Sequence, residues 1–354
     1  MKRKVRIKDI ARMANVSVGT VDRVIHKRGE VSEESFRKIM AILEKTGYEP
    51  NLIARSLSSG KTFRIVVLIP NPSQDEYWKM AEEGVRLAEE EWAHHRVHIH
   101  ISHFNLYNKG SFKKAAQALL KTKPDGVLTA PIFHQEARDF FAACQKKKIP
   151  FVLFNNNITE TEGLGYVGQD LYQSGQVGAE LLQIDQKEPG TYAILHIYDD
   201  ISNSTHLKEK ERGFKDYFLQ LNGSKNKVTS LDLNMTHRQT LEKDLVKLLK
   251  ERNLKGLLVT TSKGASVVSH VLDKHGKNGV RLVAYDLLQE NLRYLQKGII
   301  DFLINQNSRS QAFTGVGQLA NYLVFKKEPR VPYLFPLEII TRQNLSSYLN
   351  SMQH

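Results

Sequence analysis

Two sets of residues in this sequence have the types and spacing to do chemistry. The first lies near the start, where Ser17, Val18, Gly19, Thr20, Asp22, Arg23 and His26 follow the short turn Asn15-Val16. Ser17 can cap a helix by accepting from an orphan backbone N–H. That helix buries Val21, Val24 and Ile25 at helical spacing and leaves Val18, Gly19, Asp22, Arg23 and His26 on its other face. A preceding short helix, Lys8 to Ala14, has Ile10, Ala11 and Ala14 on one side. Helix, turn and second helix make a helix-turn-helix, whose second helix can enter a DNA major groove and meet base edges. Asp22 has three open roles. It could repel phosphates, accept from a cytosine amine, or pair with Arg23.

The second set is spread over the remaining chain and falls where strand-like runs end: Asn71, Tyr77-Trp78, Asn155-Asn156, Gln169-Asp170, Arg212, Tyr285-Asp286 and Gln306. A doubly wound sheet binds its ligand beyond the carboxyl ends of its strands. An aromatic face suits the C–H side of a pyranose, and a guanidinium can fork onto vicinal hydroxyls or a carboxylate. Together the set is polar and hydroxyl-seeking, with one carboxylate and one guanidinium, as a monosaccharide or sugar acid would need. Trp78 has an alternative reading, packing against its own lobe.

Other candidates carry less. His94, His95, His98, His100 and His103 are dense, and His98 and His100 share one strand face, but no Cys or carboxylate partner accompanies them, so no metal is expected. The single Cys144 cannot form an internal disulfide and reads as a small packed residue. Lys146-Lys-Lys148 reads as a solvated helix end. Ser59-Gly-Lys-Thr62 is not a phosphate-binding loop, because the first glycine of that motif would fall at Arg55. No nucleophile–base spacing stands out, so neither an enzyme nor a cofactor is expected.

The elements that must position these residues divide the chain. Residues 1–60 hold 13 Lys or Arg against 7 Asp or Glu, so six of the thirteen net positive charges lie in the first sixth of the 354 residues. Positive charge concentrated at a reading head is what phosphate contact requires. After the reading helix, Ser32 caps a third helix with Phe36, Ile39, Met40 and Leu43 as its core stripe and Gly47 as its stop. Pro50–Gly60 is too short to form a stable helix alone. From Arg64 onward, strand-like runs (Arg64–Ile69, Val97–Ser102, Gly126–Ala130, Phe151–Phe154, Tyr192–Tyr198, Gly256–Thr261, Val280–Tyr285, Ile300–Asn305) alternate with helical stretches such as Glu76–Trp92 and Gln135–Lys146. That alternation predicts parallel sheets covered by helices, enough for two lobes with a cleft between them. No apolar leader follows the basic N-terminus, and the longest apolar runs are strand-length. A cytoplasmic protein without membrane partners is expected.

Five linked stretches carry a specific resemblance: Val5-Arg-Ile-Lys-Asp-Ile-Ala11, Val16-Ser-Val-Gly-Thr-Val-Asp-Arg-Val-Ile25, Val31-Ser-Glu-Glu34, Gly47-Tyr-Glu-Pro-Asn51 and Ala54-Arg-Ser-Leu57. In this order and spacing they resemble the headpiece of the lac repressor family, although the family usually has Ser where this chain has Asp22. The later region is similar to the sugar-binding proteins of the periplasm, as in that family. The resemblance implies an all-α helix-turn-helix headpiece (1–49), a hinge (50–60) and an α/β two-lobed periplasmic-binding-protein-like domain (61–354). Lobe 1 is expected at about 61–168 and 288–322, lobe 2 at about 169–287 and 323–354. It implies that Asn51, Ala54 and Leu57 touch operator DNA, with Leu57 wedged into the minor groove. It also implies that Tyr77-Trp78 line a sugar cleft, that Arg212 clamps ligand and that Asp286 accepts from sugar hydroxyls. Asn155 and Asn156 stand where Asp-Arg is usual. The expected protein is a regulator, a homodimer or a dimer of dimers, that reads palindromic operator DNA under control of a small sugar-like effector. Two rivals are a sugar receptor with a vestigial headpiece and a sugar-modifying enzyme fused to a DNA-binding domain.

Overall fold

The computed structural model describes residues 5–25, 29–48, 60–158, 160–197, 205–222, 225–235, 237–277 and 279–351. His26, Asn51, Ala54 and Leu57 lie outside them. Contacts divide the chain into two units, Met1–Gly60 and Lys61–His354.

The first unit is helical: α1 (Ile7–Ala14), α2 (Val18–Ile25) and α3 (Glu33–Thr46). Asp9 accepts from the Arg6 N–H at the start of α1, and Asn15, left-handed at φ 54°, ends it. Ser17 then accepts from the Thr20 N–H at 3.1 Å. These caps fix the turn between the two helices. Ile10, Ala11, Ala14, Val21, Val24 and Ile39 form the core. Of the stripe expected on α3, Phe36 and Met40 are exposed. The reason is geometric: two short helices cover one flank of α3, and only the line through Ile39, with Ile42 and Leu43 beside it, meets them.

The second unit holds two six-stranded sheets. Lobe 1 is built on β1 (Phe63–Pro70), β2 (Val97–Phe104), β3 (Gly126–Thr129), β4 (Phe151–Phe154) and β5 (Gly165–Gly168), with α4 (Glu76–Trp92), α5 (Lys109–Lys121) and α6 (His134–Lys146). Lobe 2 begins with α7 (Leu171–Gln183) and contains β6 (Thr191–Ile197), α8 (Thr205–Asn222), β7 (Lys227–Leu233), α9 (Arg238–Leu249), β8 (Leu254–Val259), α10 (Ser262–His275), β9 (Arg281–Tyr285), α11 (Gln289–Lys297) and β10 (Phe302–Asn305). The chain then returns to lobe 1 as α12 (Ser308–Phe325) and β11 (Tyr333–Leu334), and ends in lobe 2 as β12 (Glu338–Ile340) and α13 (Leu345–Ser351). The sheet orders are β11-β5-β4-β3-β1-β2 and β12-β10-β9-β8-β6-β7, parallel except where β12 runs against β10. The central strands are apolar on both faces because helices cover both.

The expected lobe limits need correcting. β10 belongs to the second sheet, and Leu292 and Leu295 of α11 pack into the second lobe's core, so the return to lobe 1 comes after Asn305 rather than at 288. The last crossover follows β11 rather than falling at 323. Gln169 ties all three crossovers: its Nε2 donates to Asn305 O at 2.9 Å and to Pro336 O at 2.8 Å. In lobe 2, α7 and α8 cross in contact. A Cβ on Gly175 would stand 2.0 Å from the Lys210 carbonyl oxygen, and one on Gly213 would stand 1.9 Å from that of Tyr172. Only glycine allows this approach, and it fixes where Lys210 points.

The buried Cys144 thiol is pushed up to about 12 by desolvation. Among the described residues no three His, Cys, Asp or Glu gather as a metal site: His98 and His100 are exposed on the edge strand β2, and His103 meets Glu82 at 2.9 Å. No helix of the described residues is long and apolar enough to cross a membrane.

Candidate effector cleft and DNA-reading helix

Strand ends build the cleft between the lobes. In lobe 1, β1 leads through the N-cap Asp75, which accepts from the Tyr77 N–H at 3.0 Å, into the first turn of α4. Tyr77 and Trp78 therefore stand at the mouth of the sheet. Their rings meet edge-on at 5.0 Å between centroids, and Trp78 meets Phe154 at 6.2 Å. The Asn155 amide donates to the Tyr77 hydroxyl. Asn155 is left-handed at φ 65°, and its own N–H bonds to Val167 O on the next strand. Asn156 is 5% exposed, and its Nδ2 has no hydrogen-bond partner. A buried donor without a partner is costly, so it is a natural attachment point for a polar ligand.

In lobe 2, β9 is followed by Asp286, left-handed at φ 66° and 1% exposed. Its carboxylate accepts from the Gln306 N–H at 2.9 Å, from Gln306 Nε2 at 2.7 Å and from the Ser262 hydroxyl. Lys210 on α8 is fully enclosed. Its Nζ lies 3.5 Å above the Tyr285 ring centroid, 3.3 Å from Thr260 O and 3.4 Å from Gln306 Oε1. Burial pulls the Lys210 ammonium down to about 8 against the attraction of Asp286. Burial likewise raises the Asp286 carboxyl, opposed by its three hydrogen bonds and by Lys210. The two charges share a site that neither would tolerate alone.

Between the walls lies a cavity of about 70 Å³, lined by Tyr77, Trp78, Asn155, Asn156, Lys210 and Gln306 among others. It is small because the lobes are drawn together. Lys263 on α10 donates to Gln74 O at 3.1 Å, the Gln289 N–H donates to Glu76 at 3.2 Å, and Leu288 packs into the core of lobe 1. Small-molecule pockets usually measure ~300–1,000 Å³, so this cavity is smaller than a monosaccharide-sized ligand requires.

Tyr77, Trp78, Asn155, Asn156 and Gln306 come together as the sequence suggested. Asp286 lies beneath the cavity and holds Gln306 and Ser262, which line it. Asn71 is not part of the lining; its side chain accepts from the Ser73 N–H in a turn. Asp170 and Arg212 lie elsewhere. Asp170 caps α7, Arg212 pairs with Glu209 at 2.7 Å and stacks 4.6 Å over Tyr172, and both line a separate cavity of about 470 Å³. The cation that reaches the cleft is Lys210, two residues earlier. Two residues on a helix are about 200° apart, so Arg212 cannot point the same way. A signal for Lys210 existed: it falls on the stripe Leu207, Lys210, Phe214, Phe218, whose apolar members are buried.

In the separate helical unit, Val18, Gly19 and Arg23 are exposed on α2, while Thr20 and Asp22 are half-buried. The Tyr48 phenol is raised first by burial and then by the Asp22 carboxylate. Gly19 leaves the N-terminal turn of α2 free for close approach by a partner: a Cβ there would meet only the Ser17 hydroxyl, at 3.7 Å.

Comparison with known proteins agrees with both units. Residues 6–51 match the model of bacterial regulatory proteins of the lacI family, and residues 65–327 match that of the periplasmic binding protein domain. A ribose operon repressor of Halalkalibacterium halodurans is 23% identical over 98% of both chains. A sucrose operon repressor of Streptococcus mutans is 30% identical over 217 residues, 61% of this chain and 62% of that protein. The crystal structure of a LacI transcriptional regulator from Bacteroides fragilis, 26% identical, superposes with a TM-score of 0.76 over 81% of this chain and all of the other. With a helix-turn-helix head at residues 6–51 and a two-lobed periplasmic binding protein domain at residues 65–327, this chain belongs to the lac repressor family of DNA-binding transcriptional regulators.

Proposed function

We propose that the chain is a sugar-responsive transcriptional repressor whose effector binds between the two lobes. The observation that carries this is the cleft itself, with the Tyr77–Trp78 aromatic corner facing the Lys210–Gln306–Asp286 network. One wall suits the C–H face of a sugar ring, and the other offers charge-assisted hydrogen bonds to its hydroxyls. The names of the ribose and sucrose operon repressors support a sugar as effector. Asn156, with an unpartnered amide, and Gln306 are the residues we assign to first contact with hydroxyls.

The chain acts as a homodimer, because a palindromic operator asks for a two-fold protein. Val18, Gly19, Thr20 and Arg23 meet base edges, Ser17 contacts the backbone, and the hinge residues, Leu57 above all, reach the minor groove. An effector that weakens operator binding must itself bind more weakly to the operator complex, since coupling is reciprocal.

Thermal-shift screening of monosaccharides and sugar acids, followed by fluorescence anisotropy on a matched palindrome with and without the hit, tests the proposal. Binding that falls with salt, prefers the palindrome to scrambled DNA and changes with the hit supports it. Equal affinity for both DNAs, or a hit that leaves operator affinity unchanged, overturns it.

A further inference from the structure

The cavity of about 470 Å³ beside the crossovers is larger than the cleft cavity, and the two have no lining residue in common. Lobe 1 contributes His134 and the Asn157–Ile158 turn, lobe 2 contributes Asp170, Glu209 and Arg212, and Tyr166 and Tyr172 supply rings. The Tyr166 hydroxyl, donating to Asn155 O at 2.9 Å and to Gln169 O at 3.0 Å, stands between this cavity and the cleft.

Its chemistry is that of a cation site. Among the described residues its lining has three carboxylates, on Glu160, Asp170 and Glu209; His134 lies 3.4 Å from Glu160 and Arg212 lies 2.7 Å from Glu209, so Asp170 has no cation of the lining paired with it. Gln169, 2% exposed, also lines it. The Gln169 amide nitrogen is used twice on the crossovers, while its Oε1 has no partner. A buried acceptor in an acidic, ring-bearing cavity calls for a donor that carries positive charge. We propose that this cavity is a second effector site, taking a compact primary ammonium compound of about monosaccharide size. The ammonium group donates to Gln169 Oε1 and lies near Asp170, and the body of the ligand rests among Ile158, Leu171 and the tyrosine rings. Because both lobes supply walls and Gln169 holds all three crossovers, occupancy favours the joined arrangement of the lobes. The site needs neither the operator nor the cleft sugar, so it stands or falls apart from the repressor assignment.

Calorimetry on the full chain with D-glucosamine and putrescine, against D-glucose and D-gluconate, tests it. Asp170→Asn keeps the cap, since Asn caps a helix as well as Asp. Glu209→Gln removes only a half-exposed pair and serves as the second variant. Trp78→Leu alters the cleft and the core of lobe 1 beneath it but no residue that lines this cavity. The expected result is binding of at least one ammonium probe, weakened about tenfold by Asp170→Asn or Glu209→Gln and unchanged by Trp78→Leu. On the Trp78→Leu protein the neutral and anionic probes bind at least about tenfold more weakly than the ammonium probe. Absence of binding by both ammonium probes overturns the proposal. So does ammonium binding that Trp78→Leu abolishes and the two carboxylate variants leave intact, or equal binding of glucose and glucosamine to the Trp78→Leu protein.

Discussion

The two walls of the cleft occupy equivalent places in two sheets of the same order, yet one is neutral and the other charged. β4 in lobe 1 and β9 in lobe 2 are third in their sheets. Each is followed by a left-handed, non-glycine residue, Asn155 at φ 65° and Asp286 at φ 66°, and each of these bonds through its N–H to the next strand. Each is approached by a side chain from the helix that follows the sheet's fifth strand: Tyr77 on α4 meets Asn155, and Lys210 on α8 reaches Asp286 through Gln306. Gln169 and Gln306 follow the equivalent strands β5 and β10, but Gln169 reaches across the crossovers while Gln306 turns onto Asp286. One topology thus holds a neutral amide–phenol pair in lobe 1 and a buried ammonium and carboxylate bridged by Gln306 in lobe 2. The neutral pair avoids most of the desolvation cost. The charged pair bears that cost and in return can respond to pH and offer stronger hydrogen bonds to a ligand.

Removing the charge from lobe 2 should have the largest effect. Asp286→Ala leaves three donors without an acceptor and Lys210 without its counter-charge, and should lower unfolding free energy by about 3–5 kcal/mol in urea titration. A loss below about 1 kcal/mol would mean that the pair is incidental. Next comes pH. Lys210 titrates near 8 in the folded chain and near 10.5 when unfolded, so the folded state binds fewer protons between those values. Its contribution is complete above 10.5 and gone below about 8. Stability relative to Lys210→Met should therefore rise through that window, by at most about 1.4 kcal/mol per pH unit. Parallel pH profiles for the two proteins would refute this. In the neutral wall, Tyr77→Phe strands the Asn155 amide and should cost about 1–3 kcal/mol with no change in pH profile. Smallest is the rim. Lys263→Ala breaks the contact to Gln74 O, and calorimetry should show effector affinity falling less than about fivefold, as for an exposed polar contact.

The contrast between the walls was only half legible in the sequence. Asn155, Asn156 and Asp286 sit at the ends of apolar runs, and strand ends are readable because period and composition change there. Lys210 was hidden in Lys208-Glu-Lys-Glu-Arg212, which looks like a solvated helix face; only its register with Leu207, Phe214 and Phe218 marks it as inward. Arg212 beside a glycine drew attention to the wrong cation. The crossover after β10 was misplaced because β5, Gly165–Gly168, is four residues with glycine at both ends, and β7, Lys227–Leu233, is a mostly polar edge strand. With those two missing, and with β11 and β12 only two and three residues long, the strands could not be counted into two sixes. In the head, the caps Ser17, Ser32 and Gly47 were readable from residue type alone, whereas the exposure of Phe36 and Met40 depends on how short α1 and α2 are.

Cys144 has a practical consequence. It is the chain's one cysteine, has no exposed surface, and carries a thiol that resists ionisation. The thiolate is the form that attacks maleimides and disulfides, so the native chain should be nearly silent to thiol reagents. A cysteine introduced on the surface of each lobe would then be the only reactive group there. A pair of dyes could be attached without first engineering the protein free of its own sulfur, and the parting of the rim could be followed as a change in energy transfer.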